Sequence, residues 1–369
     1  MPDITIIVPF YQTNKVLFKQ CINSILENKD ADIELLIIDD GSTKKHHSTT
    51  DYFLTDPRVR VFHRPHKGVS AARNYGIEKA TATWIMFIDS DDYLESGWYT
   101  EVKPYLNNAE DLIIFNGYKN SDGIQKKNQY FLKEGIDYGG SKELKTMVME
   151  SALTIGLLPR GYLSYYSLGS PCSKLFKTCF LKNNGLLFDE TISFAEDTLF
   201  SLNMLIKARS IIYIDKYLYH YIMHGSSATH RYRQGLSDEI KKFLYKVNLM
   251  LIENNIKDRM EFAYLNRAFR EMNRAIRQEF FHKDNHKSLS EKNREANRFV
   301  ANKTFQYALK RGIRGEYGII ERIESILIKY KMYTLMTKVR TLLQNNQRIT
   351  ALVLSLRRYG RHSHTYAKE

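Results

Sequence analysis

Apolar and polar positions change period along this chain, and the changes mark its elements. Ile4 to Phe10 is a continuous apolar run, interrupted only by Thr5 and Pro9 and closed by Tyr11-Gln12-Thr13-Asn14, and it reads as a buried strand. Leu17, Phe18, Cys21, Ile22, Ile25 and Leu26 then recur at three- and four-residue spacing, which predicts a helix with one buried stripe. A second apolar strand, Ile33 to Ile38, ends in Asp39-Asp40-Gly41-Ser42. Strand, helix and strand at this spacing form a βαβ unit and imply a parallel sheet. Val59 to His63 is a short alternating strand, followed by a turn at His66-Lys67-Gly68. A helix then starts within Val69 to Gly76, with Ser70 as the expected N-cap. Its small leading residues let the backbone lie close to a neighbour. Trp84 to Ile88 and Leu112 to Tyr118 read as further strands, 120–140 as a polar hairpin or loop over the site, and Tyr217 to Tyr221 as an aromatic strand.

From Gly235 onward helical periodicity takes over. Ile240, Phe243, Leu244, Val247, Met250 and Leu251 form one stripe, and Ile319, Ile323, Ile326 and Leu327 another. The last predicted helix has Ile349, Leu352, Val353 and Leu356 on one face, bordered by Arg348, Arg357, Arg358 and Arg361. Charge separates this region from the rest. Residues 1–234 hold 27 Lys+Arg and 27 Asp+Glu, so 28 of the 55 basic and 14 of the 41 acidic residues fall in 235–369. The whole net charge of +14 therefore sits in the C-terminal third, which suits an anionic surface. Basic amphipathic helices of this kind lie on anionic membranes, each charge contributing about 1 kcal/mol. The competing expectation is an ordinary helical domain with solvated charges.

Length and composition bound the class. The 369 residues suffice for two or three domains, and 43% hydrophobic with 26% charged residues describes a soluble globular chain. No run approaches eighteen apolar residues, so no membrane-spanning helix is expected, and no leader is expected before the first strand. Three cysteines, Cys21, Cys172 and Cys179, fit reduced packing thiols in a cytoplasmic protein.

The densest chemistry lies at Phe87-Ile88-Asp89-Ser90-Asp91-Asp92, where an apolar strand ends in three carboxylates. Such a group repels itself unless a cation sits in it, and hard carboxylate oxygens suit Mg²⁺ or Mn²⁺. In open α/β sheets ligands collect at these carboxyl ends. The bland reading is helix capping by Ser90, Asp91 and Asp92. Asp40, at another strand end, is placed to accept from a base N–H or ribose hydroxyls, or else simply to make a turn. Arg73 is either a surface cation or a nucleotide contact.

Ile7-Val8-Pro9-Phe10-Tyr11, Ile38-Asp39-Asp40-Gly41-Ser42, Gly68-Val69-Ser70-Ala71-Ala72-Arg73-Asn74 and Phe87 to Asp92 stand in the order and spacing of family 2 glycosyltransferases with the GT-A fold. The resemblance covers roughly residues 3–230. It implies an α/β fold with a mixed, mostly parallel sheet, to which the helical periodicity after Gly235 adds an all-helical C-terminal region. The chain is then expected to divide into a nucleotide-sugar half at 1–118 and an acceptor half at 119–234, with the basic helical region at 235–369 set apart by its charge. The resemblance also implies inverting chemistry on a nucleotide-diphosphate sugar, most simply a UDP-sugar. The nucleotide would meet Pro9, Tyr11, Asp40, Arg73 and Asp89. Mn²⁺ or Mg²⁺ would be held mainly by Asp91, with Asp89 and Asp92 contributing. In Phe194-Ala195-Glu196-Asp197 the matching catalytic base is Asp197, with Glu196 beside it. The alternative reading of that pair is an acidic first turn, worth roughly 0.3–1 kcal/mol per charge. Lys174, His224 and Arg231 match diphosphate or acceptor contacts, against a solvated lysine and a structural histidine.

The expected protein is a glycosyltransferase of bacterial surface-polysaccharide type, with a glycan or lipid-linked acceptor. It would be cytoplasmic and peripheral on the inner face of the cell membrane, with room for an oligomer and no nucleic-acid partner. A nucleic-acid-binding protein would explain the pI of about 9.4 but not the balanced first 234 residues, and no base-reading motif is present. A two-carboxylate glycoside hydrolase would leave the ordered strand-end motifs unexplained.

Overall fold

The structure is a computed structural model that describes residues 1–121, 123–131, 138, 141–154, 168–223 and 231–345. His224 and the expected terminal helix with Arg348, Arg357, Arg358 and Arg361 lie outside the described residues. The chain forms two compact units, Met1–Ser227 with Lys246–Met260, and Ala228–Tyr245 with Glu261–Glu369.

The first unit is built on β1 (Ile4–Phe10), α1 (Lys15–Leu26), β2 (Ile33–Asp39), α2 (Lys44–Asp51), β3 (Val59–His63), α3 (Val69–Lys79) and β4 (Trp84–Phe87). Every residue of β1, β2 and β4 is buried, as continuous apolar runs demand when helices cover both faces of a sheet. Next come β5 (Tyr93–Leu94), α4 (Trp98–Val102), β6 (Leu112–Ser121), β7 (Ile124–Asn128), α5 (Lys142–Leu153), β8 (Lys174–Lys177), α6 (Thr178–Asn183), α7 (Glu196–Lys207) and β9 (Ile211–Ile222). The described strands form one sheet in the order β3-β2-β1-β4-β8-β6-β9-β5, with β7 paired to β6. β3, β2, β1 and β4 run parallel; β8 is antiparallel to β4 and β6, and β6 is parallel to β9. β6 (Leu112–Ser121) runs across residue 118, so one sheet spans the expected boundary between the nucleotide and acceptor halves.

One local expectation, the cap of α3, is corrected, and one, the hairpin, is met. α3 begins at Val69 with Gly68, φ 92°, in the capping position, and Ser70 lies buried inside the first turn. The small residues there serve close approach: a Cβ on Gly76 would lie 2.4 Å from Ile7 Cγ2. The polar 120–140 stretch contains a hairpin, with Gly117 to Ser121 paired to Ile124 to Asn128.

The later helices are α8 (Leu236–Glu253), α9 (Lys257–Ala275), α10 (Leu289–Val300), α11 (Lys303–Ile313), α12 (Ile319–Lys329) and α13 (Tyr333–Asn345). The α8 stripe is buried at Ile240, Phe243, Leu244, Val247 and Leu251, as its spacing predicts. The α12 stripe is not. Ile319, Ile323 and Ile326 are 53%, 45% and 38% exposed, while Glu321, Glu324, Ser325 and Ile328 are buried. Electrostatic pairing and close packing outweigh the apolar period here. Glu324 accepts from Asn273 Nδ2 at 2.9 Å and Arg340 Nη1 at 3.2 Å. Ser325 fits where α12 meets Gly312, a position at which a Cβ would lie 2.0 Å from Ser325 Oγ. An isoleucine cannot occupy either place. Among the described residues no helix is long and apolar enough to cross a membrane.

Candidate active site at the carboxyl ends of the strands

Parallel pairing of β2, β1 and β4 brings the ends Asp39-Asp40, Phe10-Tyr11 and Ile88-Asp89 to one edge of the sheet. Pro9 is buried in β1 opposite Ile38, and Tyr11, beyond the strand, is exposed and stacked on His66 with centroids 4.3 Å apart. Asp40 is buried. Its carboxylate accepts the amides of Lys67 at 2.8 Å and Gly68 at 2.9 Å, which tie the start of α3 to the end of β2. Gly41 has φ 79°, and a Cβ there would lie 2.5 Å from His66 N, so this turn requires glycine. Ser42 donates its amide to Asp39 Oδ1 at 3.0 Å and accepts from Gln12 N at 3.0 Å.

Arg73 is buried in α3 and donates from Nη2 to Asp89 Oδ1 at 2.7 Å, which excludes the surface-cation reading. Its Nη1 lies 3.7 Å from Glu196 Oε1, and its guanidinium is 5.1 Å from the Phe188 ring centre. Asn74 fixes that ring by clamping the Phe188 backbone, accepting from its amide at 2.8 Å and donating to its carbonyl at 2.9 Å. Burial works against the charge on Arg73, but the charge and hydrogen bond of Asp89, joined by Cys172 and Glu196, together hold its pKa above the usual arginine value. Arg73 Nε and Nη1 are buried and make no hydrogen bond among the described residues. Buried guanidinium donors in that condition are costly, and an anionic or hydroxylated ligand would satisfy them.

The three clustered carboxylates have different surroundings. Asp92 is almost fully buried; its Oδ2 accepts from Tyr219 Oη at 2.5 Å and its Oδ1 from Ile222 N at 2.8 Å. Burial, reinforced by the charge of Asp89, raises its pKa well above the ordinary carboxylate value. Both oxygens thus serve the sheet, in contrast with the expected metal contact. Asp89 faces Arg73, and Asp91 is half-exposed. Ser90 Oγ lies 2.6 Å from Thr13 Oγ1, which anchors the turn to the segment after β1.

Across Arg73 from Asp89, α7 opens from Ala195 in the left-handed region, φ 56°, and begins at Glu196. Asp197 Oδ1 accepts the Thr198 amide at 2.6 Å, and Phe194, Leu199 and Phe200 are buried around this turn as expected. Phe200 stacks on Phe188 with centroids 3.9 Å apart, linking this turn to the ring beside Arg73. Burial, then the adjacent Asp197 charge, raises the Glu196 pKa, with Arg73 opposing both. Lys174 is not a solvated lysine. It is fully buried and donates to the Ser170 carbonyl at 2.5 Å and the Cys172 carbonyl at 3.3 Å. Burial lowers its pKa to about 8, with Cys172 and Asp197 acting the other way. Arg231 is exposed.

Tyr219 is a site residue that pattern reading treated only as part of an aromatic strand. Alternation puts Tyr219 and Tyr221 on one face of β9, whereas a bulge opposite Asn116 and Gly117 turns Tyr217 to the other face, against Tyr118, so the period of two in the sequence is only a partial signal.

Comparison with known proteins gives the same picture. Residues 5–153 match the family model for glycosyl transferase family 2. The chain is 29% identical over 247 residues to the uncharacterized glycosyltransferase EpsJ of Bacillus subtilis, covering 66% of this chain and 67% of that one. It is 36% identical over 140 residues to the glycosyltransferase GlyG of Streptococcus pneumoniae, covering 37% and 45% of the two chains. In fold it is similar to the crystal structure of residues 1–349 of TarS from S. aureus in complex with UDP, with a TM-score of 0.58 at 17% identity, covering 93% of this chain and 92% of that one. The sheet is that of the GT-A fold. The stretch carrying Asp40, Arg73, Asp89 and Asp91 is thus the part of the chain that the glycosyl transferase family 2 model matches, and the chain is a nucleotide-sugar-dependent glycosyltransferase.

Proposed function

We propose that this enzyme transfers a sugar from a nucleoside-diphosphate donor, UDP-linked in the simplest case, to a hydroxyl of a glycan or lipid-linked acceptor, with inversion, in bacterial surface-polysaccharide synthesis. The observation that carries the reading is the Arg73 bridge. One guanidinium reaches Asp89 at the end of β4 and Glu196 at the start of α7, so the donor carboxylates and the acceptor-side pair face one site. TarS, similar in fold, has been crystallised with UDP and with UDP-GlcNAc, which supports the choice of donor class.

Each residue has a task in that reaction. Tyr11 and the Asp40 turn receive the base and ribose, Asp89 the ribose side, and Arg73 turns its unsatisfied donors to the donor's oxygens. Asp197 takes the proton of the acceptor hydroxyl as its oxygen attacks the anomeric carbon. The new C–O bond forms on the face opposite the nucleotide, whose oxygen leaves with the electron pair of the old bond. General-base help of this kind contributes about 10²–10⁴ in rate. Lys174, His224 and Arg231 remain candidates for diphosphate or acceptor contact. Asp89 and Asp91 offer the hard oxygen donors that Mg²⁺ or Mn²⁺ prefers, whereas Asp92 is committed to Tyr219 and Ile222. A cation held there would supply neutralisation of the leaving diphosphate.

Membrane docking through the C-terminal region completes the proposal. Its support is the exposed row Ile319, Ile323 and Ile326, continued by exposed Tyr330, together with the exposed basic residues Arg322, Lys329 and Lys331. In this reading the enzyme works on the cytoplasmic face, where a lipid-linked acceptor would be met.

A screen of nucleotide sugars tests the function. One donor should raise the melting temperature in a Mn²⁺- or Mg²⁺-dependent way and be turned over to nucleoside diphosphate. Release of free sugar from a glycan with no nucleotide present, indifferent to EDTA, would replace this reading with hydrolysis.

A further inference from the structure

A second group of side chains gathers around Asp39, the last residue of β2, apart from the donor carboxylates. The Asp39 side chain is fully buried, and its two oxygens have different partners. Oδ1 takes the Ser42 amide, while Oδ2 faces two imidazoles, His63 Nδ1 at 2.7 Å and His47 Nε2 at 3.5 Å. One ligand atom from each of the three lies within 4.8 Å of the others.

The fold builds this arrangement. Parallel pairing sets His63 of β3 opposite Asp39 of β2, and α2 crosses above with His47 and Asp51 one turn apart on the same helix. The two rings stack with centroids 3.9 Å apart and 30° between their planes. His63 Nε2 meets Asp51 Oδ1 at 2.9 Å. An imidazole whose outer nitrogen donates to a carboxylate while its inner nitrogen turns to a shared centre is the usual support of a metal-ligating histidine. Both rings are 32% exposed, so an ion can enter from solvent while the carboxylate stays dry.

We propose that Asp39, His47 and His63 form a binding site for a borderline transition-metal cation of the Zn²⁺ class. Two imidazole nitrogens and one carboxylate oxygen suit such an ion, whereas Mg²⁺ prefers all-oxygen sites. The two cation sites therefore differ in chemistry as well as position. The ion would also steady the donor pocket. Asp39 holds the Ser42 amide, Ser42 holds Gln12, and Asp40 lies between them in the chain. A cation on Oδ2 fixes the carboxylate around which that turn is wound.

Calorimetric titration of ZnCl₂ into the EDTA-stripped, dialysed full chain in excess Mg²⁺ tests the proposal. Wild type and Asp91→Asn should each take up one tight equivalent. His47→Ala and His47→Gln, both at a partly exposed position, should lose it, and Asp51→Asn should weaken it by about 10–100-fold, as loss of an outer-shell partner does. Absence of a tight equivalent in wild type overturns the site. So does an equivalent unchanged in both His47 variants, or one lost in Asp91→Asn, which would move the ion to the donor carboxylates.

Discussion

The Tyr219 hydroxyl donates to Asp92 Oδ2 at 2.5 Å, and the Ile222 amide, from the same strand, holds Oδ1 at 2.8 Å. β9 thus turns one member of the Asp89-Ser90-Asp91-Asp92 cluster inward and sorts the three carboxylates into different roles. Asp92 fastens the turn to the sheet, Asp89 meets Arg73, and Asp91 stays half-exposed, which is why the proposal gives it the cation.

That sorting separates stability from metal response. Tyr219→Phe leaves a buried carboxylate oxygen short of a donor and should destabilise the fold by about 1–3 kcal/mol. It should nevertheless keep a Mn²⁺-dependent enhancement of donor binding. Asp91→Ala should do the opposite, with near-normal urea denaturation and no effect of Mn²⁺ on the calorimetric donor isotherm. An unaltered Mn²⁺ effect in Asp91→Ala would remove that residue from the cation site.

Binding and chemistry should separate at α7. Asp197→Asn keeps the side chain's shape and its carbonyl acceptor for the Thr198 amide, but cannot take a proton. Donor affinity should stay near wild type while turnover falls by about 10²–10⁴. Single-turnover kinetics with saturating donor and acceptor measure this directly, and a normal rate from folded Asp197→Asn would assign the proton to another group, Glu196 first.

Lys174 gives a pH signature. Burial lowers its folded pKa to about 8 from an unfolded value of 10.5, so between those limits the unfolded chain binds more protons. Stability contributed by this group therefore rises as pH goes from about 8 to 10.5, and its burial penalty is fully present below about 8. The difference is on the order of 3 kcal/mol across that window. Lys174→Met should remove this rise, which a comparison of urea midpoints for the two proteins at pH 7.5 and 10 would reveal. Parallel pH profiles would show that the lysine ammonium is solvated in the folded state.

How far the sequence carries the structure depends on the range of the interactions involved. The β1-α1-β2 unit, the strand ends with Asp40 and Asp89, and the start of α7 follow from runs and periods within a few residues. The inward turn of Asp92 depends on Tyr219, 127 positions away, and no local pattern contains that contact. The start of α3 is set by the two amides that Asp40 captures, which is a tertiary reason for Gly68 to displace Ser70 as the cap. The orientation of α12 was hidden for the same reason. Its isoleucines predict a buried stripe, but Asn273 and Arg340 supply partners for Glu324 that only the folded unit brings near. The Asp39, His47 and His63 group likewise needs parallel strand register before its members are neighbours.

The inverted α12 gives the membrane proposal a second face to test. Ile319, Ile323 and Ile326 are exposed along one side of the helix, so the C-terminal unit carries apolar side chains at its surface as well as the basic excess of 235–369. Charge alone would be screened beyond about 8 Å at physiological salt, so apolar insertion must hold the protein at the surface once charge has brought it there. The competing occupant is a second subunit. Wild type should pellet with anionic but not neutral liposomes, with binding weakened by salt. Ile323→Asp/Ile326→Asp should reduce pelleting while leaving folding and transfer to a soluble acceptor intact, because neither side chain is buried. A chain ending before Arg348 should also bind more weakly, since it loses the basic terminal stretch. Equal sedimentation of all three proteins, or a dimer in light scattering that Ile323→Asp/Ile326→Asp breaks while liposome binding persists, would assign the isoleucine row to protein contact instead.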